Sequence, residues 1–261
     1  MDLRLKDLVF IITGGTDGLG LALAELLVAE GARVAVCGRD QERVRATEAR
    51  LREAGGEAGG QAIAVAADVT VPADLDRLVS TTVNTWGRVD GIVNNAGRSS
   101  AGSIEAVSDE GWTDDLELKV MAAVRLVRLT LPHLRAAGGG SIINVLNIGS
   151  KAPGPTSLPT AASRAAGLAI TKALSKELAP SQIRVNAVCI GLIESGQWRR
   201  RVEASGENLA DVYEQMGKTI PIGRVGRADE FADLAAYLLS PRSSFVTGTA
   251  INLDGGASPV L

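Results

Sequence analysis

A single histidine, two cysteines and 3% aromatic residues narrow the chemistry open to this 261-residue chain. With only His133 there is no second imidazole to complete a zinc pattern or a Ser–His dyad. No metal site is therefore expected, and His133, in LPHL at the end of a long amphipathic stretch, reads as structural. Cys37 and Cys189 each sit in an apolar run that reads as a buried strand, the usual place of free thiols in a cytosolic protein. A cytoplasmic location follows as the expectation. In a doubly wound sheet the two cysteines would lie in opposite halves, too far apart to bridge. No apolar run approaches the length of a membrane span, and the opening MDLRLKDLVFIITGG enters a strand with no signal-peptide pattern. A net charge of −3 gives no basic excess for nucleic acid or an acidic membrane. The expected partner is a small molecule.

What is present points to one large α/β domain spanning residues 1–261, with 46% hydrophobic and 22% charged residues. Short apolar runs alternate with helical patterns along the whole chain. The runs are Val9–Ile12, Arg33–Cys37, Ala62–Ala66, Gly91–Asn94, Ser141–Val145, Arg184–Val188 and Ala250–Leu253. Most are apolar throughout, as strands covered on both faces must be. Helices are expected near Leu19–Glu30, Gln41–Ala54, Ala73–Trp86, Asp109–Ala136, Thr160–Ala179 and Ala228–Leu239. This order builds βαβ units, right-handed crossovers and a doubly wound parallel sheet of about seven strands in a three-layer αβα sandwich. The cluster Gly55–Gly60 reads as a surface turn. One segment, residues 194–222, breaks the rhythm after the sixth strand, where excursions usually serve ligands.

Directly after the first strand, Thr13–Gly20 reads TGGTDGLG and opens the first helix. Gly14 allows the tight turn, Gly18 lets backbone approach a pyrophosphate, and Gly20 permits close helix packing. The helix N-terminus then presents unpaired N–H groups and a positive dipole end to phosphate. Further landmarks are Asp68-Val69, Asn94-Asn95-Ala96-Gly97, Ile220–Gly226 (IPIGRVG) and Asp254-Gly255-Gly256.

The spacing T-G-x-x-x-G-x-G and these landmarks resemble the classical short-chain dehydrogenase/reductase family almost end to end. The resemblance implies a Rossmann-type fold and a nicotinamide cofactor. The residues it assigns to that cofactor are Thr13, Gly14, Thr16, Asp17, Gly18, Leu19, Gly20, Arg39, Asp68, Val69, Asn95, Ala96, Gly97, Arg164, Gly191, Ile193 and Ser195. At the end of the second strand Gly38 and Arg39 stand where an acidic residue would select NAD, and Arg39 suits a 2′-phosphate. Asp17 opposes this, since a carboxylate facing that phosphate would be repulsive unless screened. NADP(H) is favoured and NAD(H) stays open. The resemblance also implies a homotetramer or homodimer through the long fourth and fifth helices. The small residues Ala161, Ala162, Ala165, Ala166 and Ala169 suit close packing there, against a partner or within the monomer.

Where the family carries Ser and then Tyr-x-x-x-Lys, this chain has Asn147, Thr160 and Arg164. Counting from Trp112 puts Lys119 at the position of the family's relay Asn. An aliphatic hydroxyl such as Thr160 lies too far from neutrality to titrate as the family's phenol does, although it can donate a hydrogen bond. Arg164 keeps the charge but is a poor proton shuttle. Asn147 can donate through its amide, and Lys119 could give a proton if desolvated. The favoured reading is an oxidoreductase acting on a carbonyl, alcohol or conjugated acceptor, with an anionic substrate as an option. A non-redox lyase or isomerase, and a cofactor-binding pseudoenzyme, remain as alternatives. The 194–222 excursion reads as a substrate lid; its Gln197-Trp198-Arg199-Arg200-Arg201 run is either a charged surface helix or an anion clamp.

Overall fold

Seven apolar runs pair, strand beside parallel strand, into one sheet. The computed structural model describes residues 1–261 except for the side chains of Gln197 and Arg201, so readings of those two arginine-run positions lie outside the described residues. The strands are β1 (Val9–Thr13), β2 (Arg33–Gly38), β3 (Gln61–Ala66), β4 (Gly91–Asn94), β5 (Gly140–Asn147), β6 (Ile183–Ile190) and β7 (Ala250–Leu253). Their order is β3-β2-β1-β4-β5-β6-β7. The chain works outward from β1 to one edge, returns, and fills the other half from β4. That reversal creates a crevice at the carboxyl ends of β1 and β4.

Helices cover both faces: α1 (Gly18–Ala29), α2 (Gln41–Gly55), α3 (Pro72–Trp86), α4 (Asp109–Leu116), α5 (Ala122–Ala136), α6 (Thr160–Glu177), α7 (Gly196–Ser205), α8 (Leu209–Gly217) and α9 (Ala228–Leu239). Successive β1 residues point to opposite faces. Phe10 and Ile12 join Leu23, Leu27 and Phe231 of α1 and α9, whereas Ile11 joins Leu75, Leu78 and Leu126 of α3 and α5. Both faces being apolar, β1 is buried at every position. Cys37 on β2 and Cys189 on β6 are buried free thiols, separated by β1, β4 and β5. No helix is long and apolar enough to cross a membrane among the described residues.

Two details differ from the expected elements. The long helix at 109–136 is interrupted by a π-type turn, Glu117–Met121, where the Ala122 N–H donates to the Glu117 carbonyl five residues back. The helix expected to reach Ala179 stops at Glu177, and Ala179–Ser181 makes a tighter turn around Pro180, which has no N–H to continue the ladder. The 194–222 excursion, read as polar and helical patches without a strand, agrees with expectation: it holds two helices, α7 and α8.

Candidate active site

The crevice at the β1/β4 reversal opens into a cleft of about 770 Å³, lined by Gly14, Thr16, Asp17, Arg39, Asp68, Val69, Ala96 and Gly97 among others. It continues into a space of about 370 Å³ bordered by Gly18, Leu19, Asn95, Asn147, Thr160, Arg164, Gly191, Ile193 and Ser195. Every residue expected to hold the nicotinamide cofactor therefore borders this groove except two. Thr13 is buried behind it, and Gly20 packs against the strand ends: a Cβ there would come within 2.5 Å of Asn95 Nδ2 and the Gly14 carbonyl.

Thr13 and Asn95 brace the groove floor. The Thr13 hydroxyl accepts from the N–H groups of Asn95 (3.0 Å) and Ala96 (3.1 Å) and donates to the Val93 carbonyl (3.3 Å). The Asn95 amide returns two hydrogen bonds, to the carbonyls of Thr13 (2.9 Å) and Gly14 (3.1 Å). Asp17 caps α1 by accepting from the Gly18 N–H at 2.8 Å. Gly18 has φ +53°, a left-handed conformation that glycine adopts without strain. Its missing side chain leaves the gap across to Ser195 and Gly196, 3.8 Å from where a Cβ would stand.

Asp17 does not face the groove as a lone carboxylate. Arg200 Nη1 donates to it at 2.6 Å across the cleft, and Arg43 Nη1 lies 3.9 Å away. Arg39 stands largely exposed on the cleft rim with its Nη1 3.9 Å from Asp68 Oδ2. Arg43 was not among the expected site residues, and Arg200 comes from the arginine run whose role had two readings, surface helix or anion clamp. Their sequence distance from the glycine loop hides them, since only folding brings 17, 43 and 200 together.

At the other end of the groove the long helix and α6 meet. Arg164, one turn into α6, donates from Nη1 to the Val145 carbonyl at 2.9 Å, while its Nε is buried with no protein partner. Burial holds its guanidinium below the ordinary value. Asn147, the last residue of β5, has a buried Oδ1 that likewise finds no protein donor. Thr160, the first residue of α6, is buried, and its Oγ1 accepts from the Ser100 N–H and from Lys119 Nζ, both at 2.9 Å. With both lone pairs accepting, the hydroxyl proton is its remaining hydrogen-bonding capacity.

Lys119 reaches this point because it sits in the π-type turn, which packs against α6. Only 4% of its side chain is exposed, and burial pulls its pKa down to about 8, with Arg164 and Arg98 adding to the fall. Asp115, one turn earlier on α4, pairs with Lys119 Nζ and opposes that fall. Its second oxygen accepts from the Ser163 hydroxyl at 2.6 Å. The structure thus gathers Asn147, Thr160, Arg164 and Lys119, the four expected positions, around one end of the groove. It adds Asp115, Ser163, Ser100 and Arg98. Asp115 and Lys119 carry the i, i+4 spacing that pairs charges on a helix, so this pair was open to detection. Behind them lies a small pocket of about 30 Å³, touched by Asn94, Lys119, Asn144 and Arg164 and large enough for one water.

The donor set fits a dinucleotide. A glycine cradle stands at a helix N-terminus, and two buried polar atoms, Asn147 Oδ1 and Arg164 Nε, lack protein partners at the other end of the groove. Comparison with known proteins agrees. A family model described as enoyl-(acyl carrier protein) reductase matches residues 14–258. A putative ketoacyl reductase of Streptomyces coelicolor is 36% identical over 258 residues, covering 95% of this chain and 96% of its own length. The structure of L-sorbose reductase from Gluconobacter frateurii, complexed with NADPH and L-sorbose, superposes with a TM-score of 0.93 at 33% identity over 100% of both chains. An NADPH-bound short-chain oxidoreductase of Pseudomonas aeruginosa PAO1, described as containing an atypical catalytic center, gives 0.90 at 37% identity, covering 98% of this chain and 100% of that one.

Proposed function

Since the chain belongs to the short-chain dehydrogenase/reductase family, we propose that it is an NADP(H)-dependent oxidoreductase whose proton source is Lys119 acting through Thr160. The observation that carries this reading is the 2.9 Å contact of a desolvated lysine with the Thr160 hydroxyl, which borders the groove.

The cofactor preference rests on charge. Arg39 and Arg43 border the wide half of the cleft, where a 2′-phosphate would lie, and Arg200 and Arg43 offset the Asp17 carboxylate. A carboxylate at position 38, the NAD-selecting alternative, is hindered: a Cβ on Gly38 would stand 2.5 Å from Thr16 Oγ1. Gly14, Gly18 and the α1 N-terminus would hold the pyrophosphate, and Ser195 and Arg164 the nicotinamide half.

When bound, NADPH supplies the hydride for the carbon of a carbonyl or conjugated acceptor. The protein manages the proton and the charge. Thr160 donates its O–H to the substrate oxygen while Lys119 replaces that proton on Oγ1, so the hydroxyl never ionises on its own. A lysine at about 8 is mostly protonated at neutral pH and gives its proton up more readily than an exposed one. Arg164 and Arg98 add fixed positive charge beside the developing alkoxide or enolate, which also favours a substrate bearing an anionic group. The 194–222 segment closes over this end as a lid, tied to the glycine loop through Arg200 and Asp17.

The test is NADPH consumption, followed at 340 nm, against ketones, ketoses, β-ketoacyl thioesters and enoyl thioesters. Lys119→Met and Thr160→Val should each lose about 100-fold or more in turnover while NADPH binding, read by fluorescence, persists. Wild-type turnover in either variant overturns the relay. Tight NADPH binding with no consumption by any acceptor would instead favour a non-redox reaction or a cofactor-binding role.

A further inference from the structure

Asp115 belongs to none of the family landmarks, yet it is the most buried carboxylate at the site. It is 1% exposed, with both oxygens committed: one to Lys119 Nζ and the other to the Ser163 hydroxyl at 2.6 Å. A buried carboxylate is costly unless paired and hydrogen-bonded on every side, so its retention beside a functional lysine calls for a reason. The arrangement runs in a line from Ser163 through Asp115 and Lys119 to Thr160 and the groove, each member fixing the next. This is the logic of a third group that orients a catalytic base or acid without itself exchanging protons.

We infer that Asp115 is a positioning residue that clamps the Lys119 ammonium against Thr160 and keeps it protonated between turnovers, with Ser163 holding the carboxylate in place. The inference rests on the reading of Lys119 as proton source.

Three charged groups face Lys119, one from each element around it: Asp115 from α4, Arg164 from α6 and Arg98 from the loop after β4. Burial and the two arginines drive protons off the amine; Asp115 is the one group that opposes them. Without it the amine would be more acidic still, with less of it protonated at physiological pH. Thr160 and Asp115 together also take up two of the ammonium's three donors, which fixes its direction. The proton balance then closes. In each reduction the Lys119 N–H bond breaks as a Thr160 O–H forms, and the original Thr160 O–H breaks as the substrate O–H forms. Lys119 is left neutral beside an anionic Asp115, which draws a proton back onto the amine from solvent.

Nuclear magnetic resonance of protein labelled with [ε-13C]lysine, in complex with NADPH, reads the Lys119 titration directly, and Lys119→Met assigns the signal. We expect the wild-type signal to titrate near pH 8 and Asp115→Asn to make the ammonium at least tenfold more acidic. Ser163→Ala is the milder variant and keeps the test open if Asp115→Asn does not fold. It leaves the carboxylate with Lys119 as its main donor, so the titration should move upward. A titration unmoved in both variants, with NADPH still bound, overturns the inference, because an Asp115 that holds the ammonium must shift it. The proton-source reading fails separately, if Lys119→Met turns over at the wild-type rate whatever the titration shows.

Discussion

Thr13→Val removes one hydroxyl and almost nothing else, so it isolates how the groove floor is held. Thr13 is 4% exposed, and its Oγ1 serves two backbone N–H groups, of Asn95 and Ala96, besides donating to Val93. Valine fills the same volume but satisfies neither amide. A buried donor left without a partner costs about 1–3 kcal/mol. Asn95 and Ala96 are only partly buried, so water recovers some of that, and the low end of the range applies to each. The sum is about 2–3 kcal/mol. For a domain of this size 1 kcal/mol moves the melting temperature by roughly 2–4 °C, so Tm should fall by about 5–10 °C in circular dichroism melts. Thr13→Ser is the control. It keeps the hydroxyl and loses one methyl, costing about 0.8 kcal/mol, and should melt within about 3 °C of wild type. Because Asn95 and Ala96 line the groove, the valine variant should also bind NADPH more weakly. A valine variant melting with the wild type, or a serine variant falling as far as the valine one, would refute the argument.

Arg39→Asp should reverse the cofactor preference. Losing a charge-assisted contact to phosphate and adding a repulsive one costs about 1.4 kcal/mol or more, so NADPH affinity drops at least about tenfold while NADH affinity, titrated by fluorescence, holds or rises. Equal losses for both cofactors would remove Arg39 from the selection. The pH dependence follows from Lys119, which must be protonated to act in reduction. Its ammonium is half lost at about 8, so kcat for NADPH consumption should be flat near neutrality and fall about tenfold per unit well above pH 8. A rate that rises through that range would require a base in its place.

The sheet was legible because its strands are short, mostly apolar runs set between helical patterns: β4 and β7 match their runs end to end, although β7 is only half-buried. β5 was less so. Its run stops at Val145, yet the strand continues through Asn147, because the ladder is made by backbone and Asn147 still pairs with Ile190. The π-type turn at Glu117–Met121 left no mark, having neither proline nor glycine. Lys119 could be placed by counting from Trp112, but the count could not say what its amine touches. That depends on the extra residue wound into the turn and on how α6 packs against it. The pairing of Asp17 with Arg200 spans 183 positions and is a property of the fold alone.

Under the proposed mechanism Asn147, Thr160, Arg164 and Lys119 make sense only as a set. A phenol that starts near 10 needs a neighbouring cation to bring it toward neutrality. Here the titrating group is itself the cation, and the environment does the opposite work. Burial and the arginines bring an amine down from its ordinary value to about 8. Arg164 supplies charge that does not titrate near neutrality, so in the proposed relay Lys119 is the group that exchanges protons there. Thr160 must then be a hydroxyl small enough to let Nζ approach, since a tyrosine would project its oxygen a ring's length further into the groove. The site therefore resists piecemeal reversal. Thr160→Tyr alone should not restore a phenol-based relay, because Lys119 would lose its acceptor while Arg164 and Asp115 stayed fixed where they are.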